Sequence, residues 1–201
     1  MSLAVVYSRA RHGLDAPLVT VEVRSQLESQ LRALDLQRDS DAIIGVVSSD
    51  SLGVYPDKNV AESLQRLPGV SITRDQGEGR FVVVRGLDAA LNSVSVNGMP
   101  IGTPEDSSRQ ATLDVIPSDS TERLTVIKAP TPDMSGDAIG GSIEIESASA
   151  FDREGRSLRG RIEASYPQLS GDVNNKLAFN YSEVFGNGDF GVAFGVNRSE
   201  R

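Results

Sequence analysis

The stretch that decides the fold is FVVVRGLDAALNSVSVNG, residues 81–98. An apolar, β-branched run ends at Arg85-Gly86, and a second alternating run ends at Asn97-Gly98. β-Branched and aromatic residues favour strands, and asparagine followed by glycine tolerates the positive φ angles of a type I′ turn. The stretch therefore predicts two strands, the second of which closes in a two-residue hairpin.

Short helix and strand units flank this stretch. Residues 60–67 carry apolar side chains at helical spacing, with Asn59 placed to cap the helix and Pro68-Gly69 placed to end it. Residues 119–128 predict a helical turn capped by Asp119 and then a strand, and residues 137–146 predict a glycine turn and a last strand. Helices and strands in this mixture predict an α+β fold.

The composition excludes several classes of protein. The chain has 201 residues, a net charge of −8, no cysteine and no tryptophan. An acidic chain is a poor partner for nucleic acid, whose phosphates attract a basic surface. The absence of cysteine excludes disulfide frameworks, thiolate metal sites and cysteine nucleophiles. No apolar run reaches the roughly 18 residues that a membrane-spanning helix needs.

The motifs follow one another in a fixed order: helix, strand, Arg-Gly, Asn-Gly, Glu-Arg and Gly-Gly. This order resembles the plug domain of TonB-dependent outer-membrane receptors over residues 18–201. The segment PDKNVAESLQRLPGVSI, residues 56–72, is similar to that of the large receptors that often import carbohydrates. The resemblance implies a small mixed-sheet plug with short helices, followed by antiparallel strands of a transmembrane β-barrel.

Three segments near the C-terminus alternate apolar and polar residues: 158–166, 176–184 and 190–197. Alternating segments of about 10 residues are typical of transmembrane β-barrel strands. A plugged transporter barrel has ~22 strands, so we expect this chain to be a fragment whose tail leaves strand edges and a lipid-facing surface exposed. The predicted domains are an N-terminal extension (1–40), a plug (41–150) and the first barrel strands (156–201).

The N-terminal extension contains a β-branched segment just after Pro17. By itself this segment could be an edge strand of the domain. The resemblance implies that it is the TonB box, which adds as a strand to TonB, the protein that delivers energy together with ExbB and ExbD. The residues that would carry this role are Leu18, Val19, Thr20, Val21, Glu22 and Val23. A linker helix with Ser25 as its N-cap and a loosely docked apolar face is expected to follow.

Two arginines, Arg85 and Arg123, match the Arg-Gly and Glu-Arg motifs of the family. Without the resemblance, Arg85 reads as a solvated strand end. The resemblance implies that both arginines face glutamates of the barrel and lock the plug, because a guanidinium binds carboxylates through a planar fork. In this chain we expect them to be exposed, or to pair with Glu78 or Asp119.

Polar, glycine-containing loops are candidates for a ligand face. The residues assigned to it are Gly77, Glu78, Arg80, Asn92, Glu105, Asp106 and Arg109. Because these loops lack a basic cluster, they favour a neutral sugar over a ferric siderophore.

The run GDAIGGS, residues 136–142, could be considered a phosphate-binding loop. It lacks the lysine and the following helix that such a loop needs, so we expect a glycine turn that packs against the barrel wall. Asp133 and Asp137 have no partner base or metal ligands. The chain therefore predicts no catalytic residue, no metal site and no cofactor, and we expect that it is not an enzyme.

The resulting hypothesis is a gate of a monomeric receptor in the bacterial outer membrane, with its N-terminus in the periplasm. It would bind an extracellular carbohydrate or siderophore and import it with energy from TonB, while the barrel strands contact lipid. Two alternatives are a signal-transducing receptor and a stand-alone periplasmic binding module.

Overall fold

A computed structural model describes residues 5–6, 21–22, 24–48, 57, 59–103, 106–132, 134, 136–152, 155–165 and 174–199. The strands are β1 (Val5–Val6), β2 (Val21–Glu22), β3 (Ile43–Ser48), β4 (Val70–Asp75), β5 (Glu78–Val84), β6 (Asn92–Val96), β7 (Met99–Pro100), β8 (Thr121–Ala129), β9 (Gly141–Ser147), β10 (Arg156–Ser165), β11 (Asn174–Phe185) and β12 (Phe190–Ser199). The helices are α1 (Arg24–Asp39) and α2 (Val60–Leu64). Short 3-10 turns cover Ala89–Leu91, Ser118–Ser120, Ala150–Asp152 and Gly186–Gly188.

A five-stranded mixed sheet forms the body of the domain, in the order β3-β8-β9-β6-β7. Strands β6 and β9 pair in parallel, and the other neighbours in this sheet pair antiparallel. The hairpin β4–β5 packs beside it with α2. The predicted α+β fold with a small mixed sheet is confirmed.

One apolar core lies between the mixed sheet, α2 and the hairpin β4–β5. Its most deeply buried members are Val60, Ala61, Leu64, Val84, Leu113, Leu124, Val126, Ile143 and Ile145. Side chains at alternate positions of a strand share one face, so β8 and β9 each supply two of these residues. This core fixes the positions from which the surrounding loops project.

Asn59 holds the start of α2, as predicted. Its side-chain oxygen accepts a hydrogen bond from the backbone N–H of Glu62 at 3.2 Å, and its amide nitrogen donates to the carbonyl of Gly79 at 2.9 Å. The same asparagine therefore caps the helix and ties it to β5. Glu62 forms an ion pair with Arg74 of β4 at 3.1 Å.

Two tight turns flank the 3-10 turn at Ala89–Leu91. Asn97 and Gly98 have φ angles of 50° and 77°, and they join β6 to β7, so the predicted hairpin is confirmed. Arg85 and Gly86 have φ angles of 55° and 75°, and the N–H of Leu87 donates to the carbonyl of Val84 at 3.0 Å. Few non-glycine residues have a positive φ, so the turn at Arg85-Gly86 holds Arg85 in a backbone conformation that is uncommon for its residue type.

A separate antiparallel sheet, in the order β10-β11-β12, lies against the body. We call it the wall sheet. Its outer face exposes apolar side chains: Leu158, Ile162, Leu177, Phe179, Val192, Phe194 and Val196. Its inner face carries small and polar residues, of which Ala178 and Ser182 are buried. The predicted alternation in β11 is confirmed, and it matches a barrel wall with an apolar exterior and a polar interior.

Helix α1 packs against the edge strand β3. It begins at Arg24, so Ser25 lies inside the helix and the predicted N-cap there is wrong. Ala33 is buried, whereas Leu31 and Leu34 are 50% and 57% exposed. The apolar face of α1 is therefore only partly covered, as expected for a loosely docked helix. Among the described residues, no helix has the length and apolar character to cross a membrane.

Candidate functional site

Arg85 interacts with the backbone of the glycine turn. Its guanidinium donates to the carbonyls of Ile139 and Gly140 at 3.3 and 3.2 Å. The side chain thus connects the turn after β5 to the segment that leads into β9. The predicted alternative partners of this arginine, Glu78 and Asp119, are not its hydrogen-bond partners in the described structure.

Arg123 pairs with Glu146 across the mixed sheet. Its Nε and Nη2 atoms donate to one carboxylate oxygen at 2.9 and 2.6 Å. The two residues are register partners on the antiparallel strands β8 and β9, so their side chains share a face. The expectation that Arg123 would find Glu78 or Asp119 is therefore wrong. An additional contact with barrel glutamates stays a prediction.

Asp119 lies at the seam between the body and the wall sheet. Its carboxylate forms ion pairs with Arg161 of β10 and Lys176 of β11, each at 2.6 Å. The 3-10 turn that contains it starts after Pro117 and has no side-chain cap, so the predicted capping role of Asp119 is wrong. The sequence pattern alone gave no signal for this contact, because it depends on how the wall sheet docks.

The loops predicted to bind ligand do not all meet at one surface. Gly77 lies in the turn before β5, with φ of 84°, whereas Asn92 donates to the carbonyl of Val82 at 2.7 Å. Val82 lies five residues after Gly77 along an extended chain, or roughly 16 Å away. Asn92 is also only 8% exposed, so the structure gives it a packing role.

The two arginines of these loops, Arg80 and Arg109, have acidic partners within the body. Arg80 pairs with Asp75 at 2.6 Å and lies over the ring of Phe81, 5.0 Å from its centroid. Arg109 and Asp137 lie 3.7 Å apart and are both well exposed. Glu78 is half-buried in β5, and Asp106 is exposed. Glu105 falls outside the described residues.

Asp88 connects the loop at 101–110 to the turn at Ala89–Leu91. Its carboxylate accepts hydrogen bonds from the N–H of Ala90 at 2.8 Å and from the Gln110 amide at 3.1 Å. These bonds, first the backbone N–H and then the amide, lower the pKa of Asp88 below its ordinary value of 3.8. Hydrogen bonds to an ionised carboxylate favour its charged form.

The contribution of the Asp88 carboxylate to the stability of the fold is therefore expected to disappear only in acid. Because its folded pKa is depressed, its stabilising effect is complete above the unfolded value and declines as the pH falls through the lowered folded value. In an NMR pH titration, the Ala90 amide should shift below pH 3.8. Asp88→Asn should remove this transition, whereas the exposed control Asp39→Asn should keep it. A transition above the ordinary value would contradict the assignment.

The glycine turn before β9 packs inside the body. A Cβ added at Gly140 would lie 2.3 Å from Oδ1 of Asn92, and one at Gly141 would lie 3.0 Å from Cγ1 of Val84. The nearest described atoms thus belong to β5, β6 and their neighbours. Packing of this turn against the barrel wall stays a prediction.

The predicted TonB box is described only in part. Val21 and Glu22 form the strand β2, which pairs antiparallel with Val5–Val6. Leu18, Val19, Thr20 and Val23 lie outside the described residues, as does Asp133. Within the described parts of the chain, no group of three or more His, Cys, Asp or Glu side chains is placed to hold a metal ion.

The curated proteins to which the chain is similar include two transporters. The vitamin B12 transporter BtuB of Photobacterium profundum is 35% identical over 109 residues, which cover 53% of this chain and 18% of that protein. The vitamin B12 transporter BtuB of Vibrio vulnificus is 28% identical over 139 residues, which cover 68% of this chain and 21% of that protein. The chain thus spans about a fifth of the length of these relatives.

Comparisons with solved structures and with a protein-family model agree with the similarity to these transporters. The siderophore receptor PirA from Acinetobacter baumannii superposes with a TM-score of 0.62 at 18% identity, over 82% of this chain and 25% of that one. That likeness shows a shared fold, a plug with part of a barrel. The model of the family described as "TonB-dependent Receptor Plug Domain" matches residues 36–142, more than half of the chain. The chain therefore belongs to the family of TonB-dependent receptor plug domains.

Proposed function

We propose that this chain is the gate of an outer-membrane receptor that binds a ligand outside the cell and imports it with energy from TonB. In this proposal residues 41–150 are the plug and residues 156–201 are the first strands of the barrel. The family consists of receptors and transporters, and in this proposal the domain acts by a conformational change.

The observation that carries the proposal is the two-sided wall sheet. Its inner face carries small and polar residues and lies against the mixed-sheet body, where Ala178 and Ser182 are buried. Its outer face exposes apolar residues such as Phe179 and Phe194. A polar interior and an apolar exterior suit a wall that separates a plug from lipid. This arrangement supports an outer-membrane location in which the body blocks the lumen.

The proposed energy coupling uses the N-terminal segment 18–23. Strand addition requires an extended backbone whose N–H and C=O groups can pair with a partner strand. Val21 and Glu22 already adopt a β conformation, which supports this use. TonB, acting with ExbB and ExbD, would then pull on the segment from the periplasm.

For the ligand we propose a carbohydrate. The relatives are named for vitamin B12 and for siderophores, but the arginines of the described loops, Arg80 and Arg109, are paired with Asp75 and Asp137. Cations that are already paired offer little attraction to an anionic iron chelate. Binding of a ferric siderophore but of no oligosaccharide by the full-length receptor would contradict this assignment.

Replacing Val21 with proline is expected to weaken binding to the periplasmic C-terminal domain of TonB by at least about tenfold, because proline removes a backbone donor from the added strand. The binding is measured by NMR titration and calorimetry with the isotope-labelled chain. Ala10→Pro, which lies in the same extension before the box, is the matched control and should bind as the unmodified chain does.

Two outcomes distinguish the alternatives. Chemical-shift changes confined to residues 18–23 and lost in Val21→Pro support energy coupling. Changes that fall on the mixed-sheet body and survive the proline would overturn it and favour a signalling receptor or a stand-alone binding module.

A further inference from the structure

The contact between the body and the wall sheet contains one nearly buried carboxylate and two cations. The Asp119 side chain is 6% exposed, and those of Arg161 and Lys176 are 30% and 12% exposed. One carboxylate oxygen lies 2.6 Å from Nη1 of Arg161, and the other lies 2.6 Å from Nζ of Lys176. Arg161 thus donates a hydrogen bond to one oxygen of Asp119, whereas Lys176 forms an ion pair with the other oxygen without hydrogen-bond geometry.

The strand register explains why both cations reach the same carboxylate. Arg161 of β10 lies opposite Ala178 of β11, and Lys176 is two residues before Ala178. Residues two apart on a strand share a face, and residues on neighbouring strands that are opposite or diagonal lie within reach of each other. Arg161 and Lys176 thus form a diagonal pair on the inner face of the wall sheet.

The 3-10 turn that presents Asp119 is fixed to the body on both sides. The hydroxyl of Ser118 donates to the carbonyl of Asp57 at 2.8 Å, and the N–H of Ala148 donates to the carbonyl of Ser120 at 3.2 Å. The turn cannot shift far without breaking bonds to the segment before α2 and to the end of β9. Asp119 is therefore held in position by bonds within the body as well as by the wall sheet.

The same contact extends to α2 through Asp57. Nζ of Lys176 also donates to the carbonyl of Asp57 at 3.4 Å. The carboxylate of Asp57 accepts a hydrogen bond from the hydroxyl of Ser63 at 2.7 Å and forms an ion pair with Arg66. One lysine of the wall sheet thus binds two separate segments of the body.

We propose that Asp119, Arg161 and Lys176 form an ionic latch that fastens the plug to the first two strands of the barrel wall. The plug supplies the anion and the wall supplies the cations. This is the reverse of the arrangement predicted for Arg85 and Arg123. A partial opening of the seam would separate the three charges before water can solvate them, and a charge that stays buried without compensation is costly. The latch therefore resists partial separation and sets how readily this side of the plug leaves the wall.

A cavity of about 200 Å³ borders the latch and supplies a reporter position. Asp119 and Ser182 both line this cavity, and Ser182 is 9% exposed on the inner face of β11. Serine and cysteine have similar size, and the chain contains no native cysteine. A thiol at position 182 should therefore react with a maleimide only slowly while the plug is seated.

The test measures maleimide labelling of Ser182→Cys in the full-length receptor that carries this chain, in outer-membrane vesicles without ligand or TonB. Asp119→Asn should raise the labelling rate by at least about tenfold, because one partner of a buried ionic cluster is lost. Asp35→Asn removes a carboxylate from the exposed Asp35–Arg38 pair on α1, and this matched control should label at the original rate. An unchanged rate in Asp119→Asn would overturn the latch.

Variants on the wall side keep the test decisive if Asp119→Asn fails to fold. Arg161→Gln and Lys176→Gln leave the plug sequence intact, and each should accelerate labelling. Combining either with Asp119→Asn should add much less than its separate effect, since residues of one network are not additive. Fully additive effects on the logarithm of the rate would overturn the proposal. The latch rests on the proposed assignment of residues 156–201 to a barrel wall, but the assay needs neither ligand nor TonB, so its outcome does not depend on whether the receptor transports a ligand.

Discussion

Replacing Leu64 with alanine is expected to lower the free energy of unfolding of the plug by about 2–5 kcal/mol. Leu64 lies on α2 and is fully buried in the core, together with Leu124 of β8 and Ile143 of β9. Truncation removes apolar contacts and leaves a cavity that the rigid sheet can fill only in part. Equilibrium urea unfolding, followed by far-UV circular dichroism, measures the loss.

Leu34→Ala is the matched control for this substitution. Leu34 is 57% exposed on α1, so the same change of side chain should alter the free energy of unfolding by no more than about 0.5 kcal/mol. Equal losses at the two positions would mean that α2 does not occupy the core, and the arrangement of the mixed-sheet body would be wrong.

The second large effect is expected at Gly140, where a side chain has no room. In Gly140→Ala the new Cβ would lie 2.3 Å from Oδ1 of Asn92 and 3.2 Å from the carbonyl oxygen of Leu91. Asn92 is buried and its amide is bonded to the carbonyl of Val82, so the asparagine cannot turn aside without losing that bond. Overpacking of this kind costs about 1–3 kcal/mol, measurable by the same urea unfolding.

Gly136→Ala separates crowding from the loss of a glycine. Gly136 belongs to the same run but has no heavy atom within 4 Å of the added Cβ, so its substitution should leave the stability nearly unchanged. If Gly140→Ala were as stable as Gly136→Ala, the close approach of the glycine turn to β6 would be refuted. Because Arg85 donates to the carbonyl of Gly140, the crowded variant should also disturb the Arg-Gly turn.

Features that depend on neighbouring residues could be predicted from the sequence. The Asn59 cap follows from the preference of a short polar side chain for the orphan N–H groups of a helix, and its bond to Glu62 is present. The Asn97-Gly98 hairpin follows from the tolerance of both residues for positive φ. The two faces of β11 follow from the period of a strand, and they separate Phe179 from Ala178 as expected.

Contacts between distant elements could not be predicted in the same way. Arg123 and Glu146 each lie in a correctly predicted strand, but their pairing depends on the register between β8 and β9. A shift of one residue would place the two side chains on opposite faces. If the register had been known, the position of Arg123 directly opposite Glu146 would have predicted their ion pair.

Asp119 and Asn92 show why polar residues are hardest to assign from sequence. An aspartate after a proline resembles a helix cap, and an asparagine before a strand resembles a surface loop. In the structure Asp119 meets cations of the wall sheet and Asn92 is buried under β5. Both outcomes arise from tertiary packing, which supplies partners that the local pattern does not contain.

The most direct test of the central claim, that this domain closes the lumen of a barrel, is the ion conductance of the full-length receptor in a planar lipid bilayer. The intact receptor should conduct little or no current. Deleting residues 41–150 while keeping the strands that follow should produce a steady, open pore, because a large barrel without its plug leaves an aqueous channel. Equal conductance with and without these residues would contradict the claim.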